Sequence, residues 1–113
     1  MASATLSNLQ RLLEAGKESA LLRFSLGAEH LKAGEAASAI EHLQRAVQLD
    51  PEYSAAWKLL GRALAESGHL EEAVRVYDEG MAVAERRGDK QAAKEMGVFG
   101  RRLRRQLQPP QSG

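Results

Sequence analysis

Residues 54–87 read SAAWKLLGRALAESGHLEEAVRVYDEGMAVAERR, and the spacing of their apolar and glycine positions decides the fold. Trp57, Leu60, Gly61 and Leu64 recur at helical intervals until Ser67-Gly68, a pair suited to stopping a helix. A second helix is predicted from about His69 to Arg87, with Leu70, Ala73, Val74, Tyr77 and Met81 on one face. Gly61 and Ala73 are small where two antiparallel helices would approach closely. Asp50-Pro51 reads as the start signal, because Asp can cap free N–H groups and Pro fits the first helical position.

The preceding segment repeats this plan. Residues 20–53 laid over 54–87 align Leu26 with Leu60, Gly27 with Gly61, Gly34 with Gly68 and Ala39 with Ala73. Ile40 corresponds to Val74, and Leu43 to Tyr77. Each matched position has a separate mechanical task, which carries more weight than the number of identities. Stepping back once more places Leu9 and Leu12 among second-helix apolar positions. Ser7 and Gln10 form a capping-box candidate and Gly16 a stop, so residues 7–15 read as half a repeat. After Gly88-Asp89, a last helix carries Ala92, Met96, Phe99, Leu103 and Leu107 on one seam. It is expected to cap the array, as a terminal repeat with a polar outer face does.

Composition agrees. The 113 residues include nineteen alanines and sixteen leucines against five valines and one isoleucine, which favours helix over sheet. The length suits one domain. Expected boundaries are a flexible start at 1–6, one all-α solenoid of about six helices over 7–107 with its last helix at 89–107, and a disordered tail at 108–113. The chain has no cysteine, hence no disulfide, thiolate metal site or cysteine nucleophile. No secretory signal and no run of the ~18–20 apolar residues needed to cross a bilayer is visible, so a cytoplasmic protein is expected. The net charge of +1 conceals a basic end: residues 86–105 hold eight basic and two acidic side chains.

The paired pattern resembles the tetratricopeptide repeat family, whose helix–turn–helix unit spaces W-x2-L-G-x2-Y and later G, A, F/Y, A and P. The second unit supplies Trp57, Leu60, Gly61, Leu64, Gly68, Ala73 and Tyr77, and departs at Gly80 and Glu85. The first supplies Leu26, Gly27, His30, Gly34, Ala39, Leu43, Ala46 and Pro51, with Arg23 in the tryptophan place. The resemblance implies a non-catalytic protein-interaction module that holds a partner segment in a groove lined by the first helix of each unit. Its groove-facing places fall on Leu21, Phe24, Ala28, Leu31 and Lys32 in the first unit, and on Ala55, Lys58, Arg62, Ala65 and Glu66 in the second. A two-residue insertion adds Gln91, Lys94, Val98, Arg101 and Arg102. The terminal-carboxylate clamp of some family members is absent in register, since Phe24 and Ala28 replace its lysine and asparagine.

Leu21 and Phe24 are therefore expected as apolar contacts, and Lys58, Arg62 and Lys94 as cations for an acidic protein or peptide partner. Lys58 and Arg62 stand four apart, a spacing at which like charges repel mildly. The alternative is electrostatic binding of nucleic acid or an anionic membrane through Arg101, Arg102, Arg104 and Arg105. No aromatic residue interleaves with these arginines, which argues against a nucleic-acid partner, and cations at a helix C-terminus also favour its dipole. His30, His42 and His69 lie far apart in the sequence, His30 in a core place. No metal, cofactor or catalytic motif is expected, and hence no enzyme. Open terminal helices leave room for weak self-association.

Overall fold

The computed structural model describes residues 3–109, and they form six α-helices with no strand among them. These are α1 (Ala4–Glu14), α2 (Ala20–Lys32), α3 (Ala36–Leu49), α4 (Ser54–Glu66), α5 (Leu70–Arg87) and α6 (Lys90–Leu107). The all-α solenoid read from the sequence is the fold observed. Short turns fold successive helices back on one another, giving an elongated body of 57 × 34 × 19 Å. Gly34 and Gly68 end α2 and α4 at φ 78° and 80°, a left-handed conformation in which glycine carries no Cβ penalty.

α2, α4 and α6 touch one another in turn, whereas α1, α3 and α5 touch only the even-numbered helices beside them. Two layers result, and the even-numbered helices form the inner one. Both repeats close by the same device. A Cβ on Gly27 would lie 2.5 Å from Leu43 Cγ, and one on Gly61 would lie 2.7 Å from Tyr77 Cζ. Gly80, where the repeat pattern prefers alanine, has its own cause. A Cβ there would fall 2.6 Å from both Trp57 Cβ and Met96 Sδ, at the junction of α4, α5 and α6. Leu26, Leu43, Leu64 and Met96 are fully buried, each contributing roughly 1.5–3 kcal/mol of transfer free energy.

Several boundaries differ from the sequence reading. α1 begins at Ala4, not near Ser7, because Ser3 Oγ accepts the Leu6 N–H at 2.9 Å. Leu6, expected in a flexible start, is buried with Leu22 and Leu26. Ser7 is inside the helix and caps nothing. Asp50-Pro51 does not open α4 either. Asp50 ends α3 and its Oδ1 accepts the Glu52 N–H at 3.1 Å, so the pair forms a turn before the helix starts at Ser54. Gln108 and Pro109 follow α6; the rest of the expected tail, 110–113, lies outside the described residues. His30 is 7% exposed in the core, as its repeat position implies. Distance along the chain misleads for its neighbour: His42 stacks on it with ring centroids 5.3 Å apart.

Candidate partner-binding groove

The inner layer exposes one face of α2, α4 and α6. At its α2 end Leu21 is 65% exposed. Phe24 is half-buried and stacks on Tyr53 at a centroid distance of 5.0 Å, so the Asp50–Tyr53 turn already covers much of its ring. Lys58 and Arg62 do share a face of α4, but each meets a carboxylate of its own chain. Lys58 Nζ lies 3.1 Å from Glu95 Oε2 of α6, and Arg62 Nε lies 3.0 Å from Glu66 Oε1 one turn on. The like-charge repulsion expected between them is thus offset internally. Hydrogen bonds from Gln91 and then Lys58 hold the Glu95 carboxyl below the usual carboxylate range.

Between α4 and α6 the groove deepens into a cavity of about 540 Å³. Leu59, Tyr77, Phe99 and Leu103 supply its apolar lining. Lys58, Arg62, Glu66, Glu95 and Arg102 stand around it. Tyr77 and Phe99 pack tilted at 5.7 Å. Burial pushes the Tyr77 hydroxyl up to about 12, although the nearby Arg62 charge pulls the other way.

α6 enters this groove about one residue out of the expected register. Glu95, Phe99, Arg102 and Gln106 face the cavity, whereas Lys94 is exposed outside its lining. The cause is visible in the seam of α6. Phe99 packs against Tyr77 of α5 and Leu103 is buried beside the same cavity, and the roll of α6 that places them there carries Lys94 away. The seam Ala92–Met96–Phe99–Leu103 held this signal, which outweighs a register counted from α4.

The arginine run also divides. Arg104 pairs with Asp78 of α5, Arg102 borders the cavity, and Arg101 and Arg105 are exposed. Among the described residues, Arg101, Arg102 and Arg105 belong to no ion pair. In the first repeat, Arg23 Nη1 lies 3.1 Å from His42 Nδ1, and His30 Nδ1 lies 3.0 Å from Glu35 Oε1. Among the described residues, no three histidine, aspartate or glutamate side chains are grouped to hold a metal ion. No helix there is long and apolar enough to cross a membrane.

The family profile described as "Tetratricopeptide repeat" matches residues 30–95, and a second of the same description matches residues 6–51. The chain belongs to the tetratricopeptide repeat family. A TPR repeat-containing protein of Pseudomonas aeruginosa is 51% identical over 100 residues, covering 88% of this chain and 95% of the relative. The solution structure of a protein from Bordetella parapertussis is 39% identical and superposes with a TM-score of 0.80, covering 92% of this chain and 90% of that one. A tetratricopeptide repeat domain protein from Salinibacter ruber shares the fold at 24% identity and a TM-score of 0.73, with 85% and 96% covered. Tetratricopeptide repeat domains are in general protein-interaction modules and non-catalytic. In this chain the cavity lies between α4 and α6, two neighbouring helices of the inner layer.

Proposed function

We propose that the chain is a non-catalytic interaction module of the cytoplasm that holds a segment of a partner protein along α2, α4 and α6. The observation that carries this reading is the cavity between α4 and α6, whose apolar lining no segment of the described chain covers. Leu21 extends the apolar contact toward α2 and, with Phe24, forms one end of the groove. Lys58 and Arg62 are its cationic wall. Because both already pair with Glu95 and Glu66, an acidic partner engages them by exchanging one carboxylate for another, which tunes specificity more than affinity. Lys94 lies beside the groove and acts on the partner only through its longer-range charge.

Capture from the source organism's lysate tests this reading, with wild type beside a Lys58→Glu/Arg62→Glu variant shown by circular dichroism to be folded. The expected result is a protein retained by wild type, lost with the variant and indifferent to nuclease. Capture that ignores the variant removes the groove reading. Capture abolished by nuclease moves the function to Arg101, Arg102 and Arg105, whose affinity would then fall steeply with salt.

A further inference from the structure

Resting on the groove reading, we propose that the α4–α6 cavity receives one large apolar side chain of the partner segment, and that a carboxylate beside it pairs with Arg102. The anchor of the groove is then at its α6 end, opposite to Leu21 and Phe24. Phe24 is closed over by Tyr53 at 5.0 Å. Leu59, Phe99 and Leu103, by contrast, line open space of about 540 Å³, within the usual span of roughly 300–1,000 Å³ for sites that enclose small ligands.

Two polar groups choose the occupant. Tyr77 is 4% exposed and lines the cavity, yet its hydroxyl makes no hydrogen bond to another described residue. Every fully enclosed side-chain nitrogen or oxygen among the described residues does have a partner, so this hydroxyl opens onto the cavity as an unused donor. The second group is Arg102. Lys58 and Arg62 are neutralised by Glu95 and Glu66, and Arg102 adds a third cation with no carboxylate matched to it among the described residues. The rim thus carries a surplus positive charge beside an apolar floor. A basic segment meets repulsion there, a neutral one leaves Arg102 unpaired, and an apolar residue flanked by a carboxylate satisfies both features.

The test uses two small probes, N-acetyl-phenylalanine and its neutral amide, titrated into isotope-labelled protein while backbone amide shifts are followed. The acid is expected to move the amides of Leu59, Phe99 and Leu103, at concentrations about threefold below those the amide requires, the modest preference an exposed ion pair gives. Arg102→Gln should erase that preference while both probes still enter. Tyr77→Phe, which keeps the ring, should weaken the acid. Equal response to both probes overturns the inference, as do shifts centred on Leu21 and Phe24 or none at the three cavity amides. Shifts there that follow protein concentration without any probe would mean that a second copy fills the cavity, and also overturn it. Lysate capture that needs Lys58 and Arg62 but survives Arg102→Gln would keep the groove and remove this anchor.

Discussion

The same substitution, glycine to alanine, should have opposite signs at Gly61 and Gly100. Alanine is favoured over glycine in a helix interior by about 0.5–1 kcal/mol, because glycine loses more backbone freedom on folding. At Gly100 of α6 that gain is nearly free of cost, since a Cβ would meet Tyr77 Cβ at 3.7 Å, an ordinary contact. At Gly61 a Cβ would fall 2.7 Å from both Cδ1 and Cζ of the Tyr77 ring, and closer still to Cε1. Phe99 packs on the ring at 5.7 Å, so moving the ring away from Gly61 disturbs that contact. Either the ring shifts at the expense of that contact or α4 and α5 separate, and overpacking of this kind costs about 1–3 kcal/mol. Gly100→Ala is therefore expected to stabilise the fold by about 0.5–1 kcal/mol, and Gly61→Ala to destabilise it by about 0.5–2 kcal/mol net. Gly61→Leu should be worse than either. Urea unfolding followed by far-ultraviolet circular dichroism reads both, with an unchanged slope confirming a like-for-like comparison. A Gly61→Ala variant as stable as wild type would refute the packing argument. So would a Gly100→Ala variant that melts earlier.

Removing residues after Gly88 takes away Met96 and Leu103, and should leave Tyr77 and Met81 uncovered; aggregation in light scattering is expected, and a soluble, cooperative fragment would show that α6 is no cap. Ser3→Ala should cost about 1 kcal/mol of capping, confined to α1, because α1 touches only α2. Amide exchange across α1 should speed up while the global urea midpoint stays put, and a shifted midpoint would show α1 to be part of the main cooperative unit. His42 should make repeat one acid-sensitive: burial first, then the Arg23 charge, lowers its affinity for a proton in the fold. The unfolded chain then binds more protons, so this contribution is complete above the ordinary value of about 6.5 and falls away as pH drops through and below it. Thermal midpoints from pH 7.5 to 5 should decline less in His42→Gln than in wild type, and parallel declines would assign the acid sensitivity elsewhere.

The scaffold was readable because its instructions are local. Gly34 and Gly68 mark turns through backbone conformation, and Gly27 and Gly61 mark close approaches through the absence of a side chain. Both kinds of signal repeat at a fixed interval. The start of α1 escaped because Ser3 and Ser7 have the same capping chemistry, and only burial of Leu6 against α2 chooses between them. Asp50-Pro51 escaped for a related reason: Asp50 serves a turn as readily as a helix start. At the groove, four of the five places read on α4 were legible, since Lys58, Arg62, Ala65 and Glu66 line the cavity whereas Ala55 lies outside it. Their pairing was not, because Glu95 is 37 residues from Lys58 and depends on the roll of α6. That roll is a tertiary effect, set by Phe99 against Tyr77, and it exchanged Lys94 for Glu95.

Tyr77 has two occupations. One flank of its ring wedges against Gly61 and holds α4 to α5, while another part closes the floor of the cavity. Arg102 stands at the rim in no ion pair among the described residues, and Lys58 and Arg62 hold only partly exposed ones, so replacing these cations costs the fold little. The floor allows no such freedom, since any change of shape at Tyr77 alters the cavity and the helix packing together. The charge of the rim can therefore be altered at little expense to stability, whereas the shape of the floor is tied to the integrity of the fold.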